Sequence, residues 1–147
     1  MRPLIFHTIL VVMTVMLFTQ RVGFAGEKTV AVPYVTNEKL EQEWNDGKWV
    51  NYKKSIYKYL SNGSLVEKTE KLWVKTTWAI SYRYTYTYNE QGKLIEELMQ
   101  DWLNGGWVNN TMTTCSYDSN GELKEELVQL WEEDAWVNQY KNTYTKK

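Results

Sequence analysis

From Trp78 to Tyr88 the chain alternates. Trp78, Ile80, Tyr82, Tyr84, Tyr86 and Tyr88 are large and apolar or aromatic, and Ala79, Ser81, Arg83, Thr85 and Thr87 between them are small or polar. Period-two alternation in β-favouring residues predicts a strand with one buried face. Leu94–Trp102 is predicted as a second strand, with Leu94, Leu98 and Trp102 on one face. Its glutamates would also suit a helix, but the segment lacks caps and its neighbours are long strands. On this pattern Trp78, Tyr82, Tyr84, Tyr86 and Tyr88 are expected to share a face with Leu94, Leu98 and Trp102. Ser81, Arg83, Thr85, Thr87 and Glu97 would then face water.

The pattern repeats. Trp44, Trp73, Trp102 and Trp131 recur in a 29-residue register, as do Trp49, Trp78, Trp107 and Trp136, and these are all eight tryptophans of the chain. Gly63, Gly92 and Gly121 keep the register, as do Leu65, Leu94 and Leu123. Tyr57, Tyr86, Cys115 and Tyr144 form another column. Two kinds of tight turn join the strands. One lies between the paired tryptophans, as in Asn45-Asp46-Gly47-Lys48 and Leu103-Asn104-Gly105-Gly106. The other ends in glycine, as in Ser61-Asn62-Gly63, Glu90-Gln91-Gly92 and Ser119-Asn120-Gly121. Glycine takes positive φ without a Cβ clash, which is what hairpin turns require. A first, degenerate strand is expected at Thr36–Glu43. The reading is an all-β antiparallel meander of about eight strands, built from 29-residue double-strand repeats and curled or barrel-like. Residues 26–43 form a lead-in and first strand, and 44–147 the hairpin array, with units starting near 44, 73, 102 and 131.

The columns Tyr86-Thr87-Tyr88-Asn89 … Gly92-Lys93-Leu94 and Cys115-Ser116-Tyr117-Asp118 … Gly121-Glu122-Leu123 carry a resemblance. Tyr57-Lys58-Tyr59-Leu60 … Gly63-Ser64-Leu65 follows it more loosely. The pattern resembles the YD repeat of Rhs-type and teneurin-type proteins, which build β-hairpin shells. It is also similar to Trp-rich repeats of secreted Bacteroidota proteins. The resemblance covers roughly residues 44–147, and the 29-residue period with paired tryptophans is longer than a usual YD repeat. It implies an extracellular scaffold or binding role and no catalytic residue.

The segment 1–25 differs from the rest. Arg2 is followed by the mostly apolar run Leu4–Phe18 and by the small-residue site Gly23-Phe24-Ala25. This is the make-up of a secretory signal peptide, with cleavage after Ala25 or Gly26. Arg21 closes the run too early for a membrane span, which needs about 20 apolar residues. Loss of segment 1–25 removes all three phenylalanines, the only histidine, His7, and two arginines, taking the net charge from −1 to −3. A weakly acidic chain gives no reason to expect nucleic acid as a partner, nor membrane insertion after leader removal. The expected location is outside the cell or at its surface, with the periplasm as another possibility.

Without a histidine in the mature chain, Ser-His-Asp and Cys-His arrangements are excluded, as is a His-containing zinc site. Glu96-Glu97 and Glu125-Glu126 are adjacent on strands, so each pair points to opposite faces and cannot serve one glycosidic bond. Asp118-Ser119-Asn120-Gly121 begins like a calcium loop, but the twelfth position is Gln129 rather than glutamate. Asn62 and Asn109 stand in Asn-x-Ser/Thr sequons. Cys115 is the only cysteine and replaces a repeat tyrosine, which is a packing role first. No catalytic, metal or cofactor site is expected.

The aromatics leave two readings. The first makes them the core of a fold without phenylalanine, so that Trp102→Ala would cost about 3–5 kcal/mol. The second makes Trp44, Trp49, Trp73, Trp78, Trp102, Trp107, Trp131 and Trp136 ligand-stacking side chains. The function expected is therefore a noncatalytic exported repeat protein, structural or adhesive. The alternative is a carbohydrate-binding module using paired Trp and Tyr. The candidate partners are polysaccharide and a cell-surface protein.

Overall fold

A computed structural model describes residues 10–14 and 33–146. Every regular element among these residues is a strand: β1 Leu10–Thr14, β2 Val35–Asn45, β3 Lys48–Tyr59, β4 Leu65–Val74, β5 Thr77–Tyr88, β6 Leu94–Leu103, β7 Gly106–Tyr117, β8 Leu123–Glu132 and β9 Ala135–Thr143. Strand order follows chain order in one antiparallel meander, linear from β1 to β9 rather than cyclic. The expected first strand at Thr36–Glu43 runs slightly longer at both ends, and the glutamate-rich segment from Leu94 is strand rather than helix. β1 falls inside the segment read as a leader. The charged start, the rest of the apolar run and the Gly23-Phe24-Ala25 site lie outside the described residues, as does most of the lead-in. The chain divides into two compact units, Met1–Ala79 and Ile80–Lys147.

The two turn types explain the strand lengths. At the tryptophan end, two residues close the hairpin in left-handed backbone, Asp46 with Gly47 and Asn104 with Gly105, at φ of 47° and 77° and of 51° and 83°. Turns with positive φ at both central residues match the twist of the flanking strands. At the other end, Gly63, Gly92 and Gly121 donate back to Leu60, Asn89 and Asp118, and the chain closes with a second bond from each of these residues to the carbonyl of Ser64, Lys93 and Glu122. The Asn89 and Asp118 side chains also accept from two backbone amides of their own turns. Asp118 Oδ1 is thus committed to shaping a hairpin.

Beside both kinds of turn one strand carries an extra residue. Tyr88 pairs with Leu94 but Thr87 pairs with Glu96, so Ile95 is bulged. Lys124 is bulged in the same way, as Tyr117 pairs with Leu123 and Ser116 with Glu125. Asn110 is bulged because Gln100 pairs with Asn109 and Met99 with Thr111. One extra residue exchanges the faces of everything beyond it. The expected single aromatic face is therefore wrong. Tyr82, Tyr84 and Tyr86 stand opposite Asp101, Met99 and Glu97, whereas Leu98 stands opposite Thr85. Trp102 shares its face with Leu98 and Gln100, and Leu94 lies on the other face with Tyr88.

The sheet thus has a tyrosine face and a tryptophan face. The most enclosed residues all belong to the tyrosine face: Ser55 is 1% exposed, Val128 8%, and Glu41 and Glu70 are buried with them. Glu41, Glu70, Met99 and Val128 are one column of the 29-residue repeat. In the first unit this column is ionic. Glu41 accepts from Lys39 at 2.9 Å and lies 3.1 Å from Lys53, and Glu70 lies 2.6 Å from Lys68 and 3.9 Å from Lys53. In the second unit the same column is filled by Met99 and Val128, with Tyr84 and Thr113 opposite them.

Candidate ligand-binding face

Each tryptophan pair is held by its two-residue turn. Trp44 pairs with Trp49, Trp102 with Trp107 and Trp131 with Trp136 in the strand register. The rings meet edge to face, with centroids 5.2 Å apart for Trp44–Trp49 and 4.9 Å for Trp73–Trp78, Trp102–Trp107 and Trp131–Trp136. Interplanar angles are 65–70°, the geometry favoured by the ring quadrupole. The expected tryptophan core is not found. None of the eight is buried: six are half-buried, and Trp44 and Trp49 are 56% and 39% exposed. The bulges account for this, because they put the tryptophans on the less enclosed face and at the turn-bearing ends.

Behind the indoles lies a second row that the sequence reading missed. Gln42 donates to Asn51 at 2.9 Å, Gln100 to Asn109 at 2.8 Å and Gln129 to Asn138 at 2.9 Å. Each amide pair is two residues from its tryptophan pair on both strands, hence on the same face. The signal was available, since Gln42, Gln100 and Gln129 keep the 29-residue register, with Lys71 in the remaining slot. Cations complete the face. In the first unit the Lys54 ammonium lies 5.2 Å from the Trp78 ring centre and 2.8 Å from Glu38. In the second, the Arg83 guanidinium stacks 4.6 Å over Trp107 and donates to Gln100 at 2.6 and 3.0 Å. Lys54 and Arg83 are again one column.

The other candidates stay apart from this face. Glu96 and Glu97 face opposite sides of the sheet, as do Glu125 and Glu126, by the partners they pair with. Cys115 is half-buried on the tyrosine face. Burial pushes its thiol up, and Glu126 and Glu97 nearby push it the same way. Beside it is an open groove of about 580 Å³ between the second and third glycine turns, lined by Asn89, Lys93, Ile95, Cys115 and Tyr117 among others. Lys93 spans it, donating to the Gly121 carbonyl and lying 5.1 Å from the Tyr117 ring centre. Asn62 is exposed and its side chain accepts from Ser64. Asn109 is tied to Gln100.

No family model matches the chain, and no curated relative does. Solved structures do. The chain is similar to a Bacteroides fragilis protein of unknown function, at a TM-score of 0.63 and 15% identity over 92% of this chain and 93% of that one. It is also similar to a DUF3836 family protein of Bacteroides vulgatus, at a TM-score of 0.51 and 19% identity over 62% of this chain and 98% of that one. At these identities the likeness concerns the fold.

Proposed function

We propose that the chain is a noncatalytic exported binding module, and that its tryptophan face takes a neutral polysaccharide. The observation that carries the reading is the pairing, repeated along the face, of part-exposed indoles with a hydrogen-bonded glutamine–asparagine pair. Indoles offer flat apolar area to the C–H faces of sugar rings. Side-chain amides offer both donors and acceptors to hydroxyls without charge. Neighbouring tryptophan hairpins within a unit are two strands apart, about 10 Å, so the pairs form a row suited to an extended chain more than to one small ligand. The leader-like make-up of segment 1–25 supports export of such a module.

The test is binding of chain 26–147 to a panel of soluble neutral and acidic polysaccharides, followed by tryptophan fluorescence and by gel retardation. A blue shift and protection from iodide quenching are expected with a neutral glycan. Trp44→Ala/Trp49→Ala should weaken binding by about fivefold or more, as loss of a principal aromatic contact typically costs above ~1 kcal/mol. Retained affinity in that variant and in Trp102→Ala/Trp107→Ala would remove the tryptophan face from consideration.

A further inference from the structure

We propose that chain 26–147, freed of the leader-like segment, assembles head to tail, β9 of one copy pairing antiparallel with β2 of the next. The repeat has two kinds of strand, and they meet at two kinds of junction. β3, β5 and β7 each pair on one side through a tryptophan turn and on the other through a glycine turn with the strand that follows. β9 belongs to this kind by its repeat register, yet among the described residues it has a neighbour on one side only. Nearly all of its residues are exposed. An edge of this length with unpaired backbone groups is a template for another strand.

β2 is its complement. By register β2 matches β4, β6 and β8, each of which receives a preceding long strand across a glycine-turn junction. β2 keeps the residues that those junctions use. In β5–β6 and β7–β8, threonine faces leucine, as Thr85–Leu98 and Thr114–Leu127. One step along, Lys58, Thr87 and Ser116 face glutamates, Glu67, Glu96 and Glu125. Carrying that register from β9 to β2 sets Thr143 opposite Leu40 and Thr145 opposite Glu38. It also sets Tyr144 opposite Lys39, repeating the Tyr57–Lys68 pair of β3–β4. Charge agrees as well: β9 and the residues up to Lys146 contain Lys141 and Lys146 and no acid, whereas β2 contains Glu38, Glu41 and Glu43 against Lys39.

The strand now on that edge is β1, whose residues Leu10–Thr14 pair with Thr36–Leu40. It covers the stretch that residues 143–146 of another copy would take, and it sets Val12 opposite Glu38 where the repeat sets a polar residue. β1 lies in the leader, so leader removal would open the edge. The leader reading supplies only this timing; the edge match stands without it.

Disulfide trapping tests the pairing. Leu40→Cys and Thr143→Cys are placed on separate copies of the 26–147 chain, both with Cys115→Ser, then mixed and oxidised. A disulfide-linked dimer is expected, with little from an out-of-register Asn138→Cys in place of Thr143→Cys. Sedimentation of the unsubstituted 26–147 chain should show mass rising with concentration, while chain 1–147 stays smaller. Three results would each overturn the proposal: a 26–147 chain that is strand-rich by circular dichroism yet monomeric throughout; equal trapping at both positions; or a chain carrying both cysteines that closes on itself as a monomer.

Discussion

Single side chains take their roles from face and repeat column more than from residue type. Cys115 occupies a column otherwise held by Tyr57, Tyr86 and Tyr144. Burial and the carboxylates of Glu126 and Glu97 hold its thiol above the ordinary value of 9.0, so little thiolate exists near neutrality. Alkylation by iodoacetamide at pH 7.5, as an assay condition of about that value, should be slower than for free cysteine. Cys115→Tyr should fold at least as well as the parent, which thermal melts of the two would show. A thiol reacting as fast as free cysteine would mean that the position is open. Trp102 changes role in the same way. A buried core tryptophan would cost about 3–5 kcal/mol on truncation. An edge-to-face pair at a half-buried site is worth about 0.5–1.5 kcal/mol beyond its buried area. Trp102→Ala should therefore lower the melting temperature moderately, leaving the chain folded by circular dichroism while weakening the glycan response.

Turns and bulges decide what a strand presents, and they divide what was legible from what was not. The strands, their order and their glycine turns could be read from alternation and the 29-residue period, because both reflect local backbone demands. Tyr88 opposite Leu94 could be read too, from the length of the turn. The faces could not. Ile95, Lys124 and Asn110 are ordinary strand residues, and nothing in their type marks them as bulged. Each is defined only by its partner strand, yet each reverses the alternation downstream and so splits tyrosines from tryptophans. The glutamines of the amide row keep the 29-residue register, but their asparagine partners are set by the cross-strand pairing. The turns make a prediction of their own. Glu133 and Asp134 sit at φ of 47° and 63°, the positions where the first and third tryptophan hairpins place Asp46-Gly47 and Asn104-Gly105. Left-handed backbone costs a side-chain-bearing residue about 1 kcal/mol relative to glycine. Asp134→Gly should therefore stabilise the chain by up to about 1 kcal/mol, read as a higher midpoint in urea. A lower midpoint would show that the side chain contributes more than the backbone strain removes.

Among the described residues enclosed apolar side chains are scarce, and the first unit relies on charge where the second uses Met99 and Val128. That contrast sets the response to pH. Burial by itself raises the Glu41 carboxyl. The hydrogen bonds from Lys39 and Lys53, with the attraction of both ammonium groups, outweigh it, and the net shift is downward from 4.5. Lys53 moves the other way. Burial lowers it, but its bond to Glu41 and the fields of Glu70 and Glu41 carry the net shift upward from 10.5. A carboxyl depressed in the folded state contributes stability that is present above its unfolded value and lost as pH falls through its folded value. A raised lysine contributes stability that is present below its unfolded value and lost as pH rises through its folded one. Stability from this network should thus hold across the neutral range and fall on the acid side below 4.5 and on the alkaline side above 10.5. Urea midpoints measured across that range should show both declines. Glu41→Gln should flatten the acid decline, since the amide cannot titrate, while lowering the plateau by about 1–3 kcal/mol, because Lys39 loses its carboxylate and Lys53 keeps only the longer contact to Glu70. An acid decline of unchanged steepness in Glu41→Gln would move the pH sensitivity to other carboxylates. Glu70, which joins Lys53 to Lys68 in the same column, would be the next to replace.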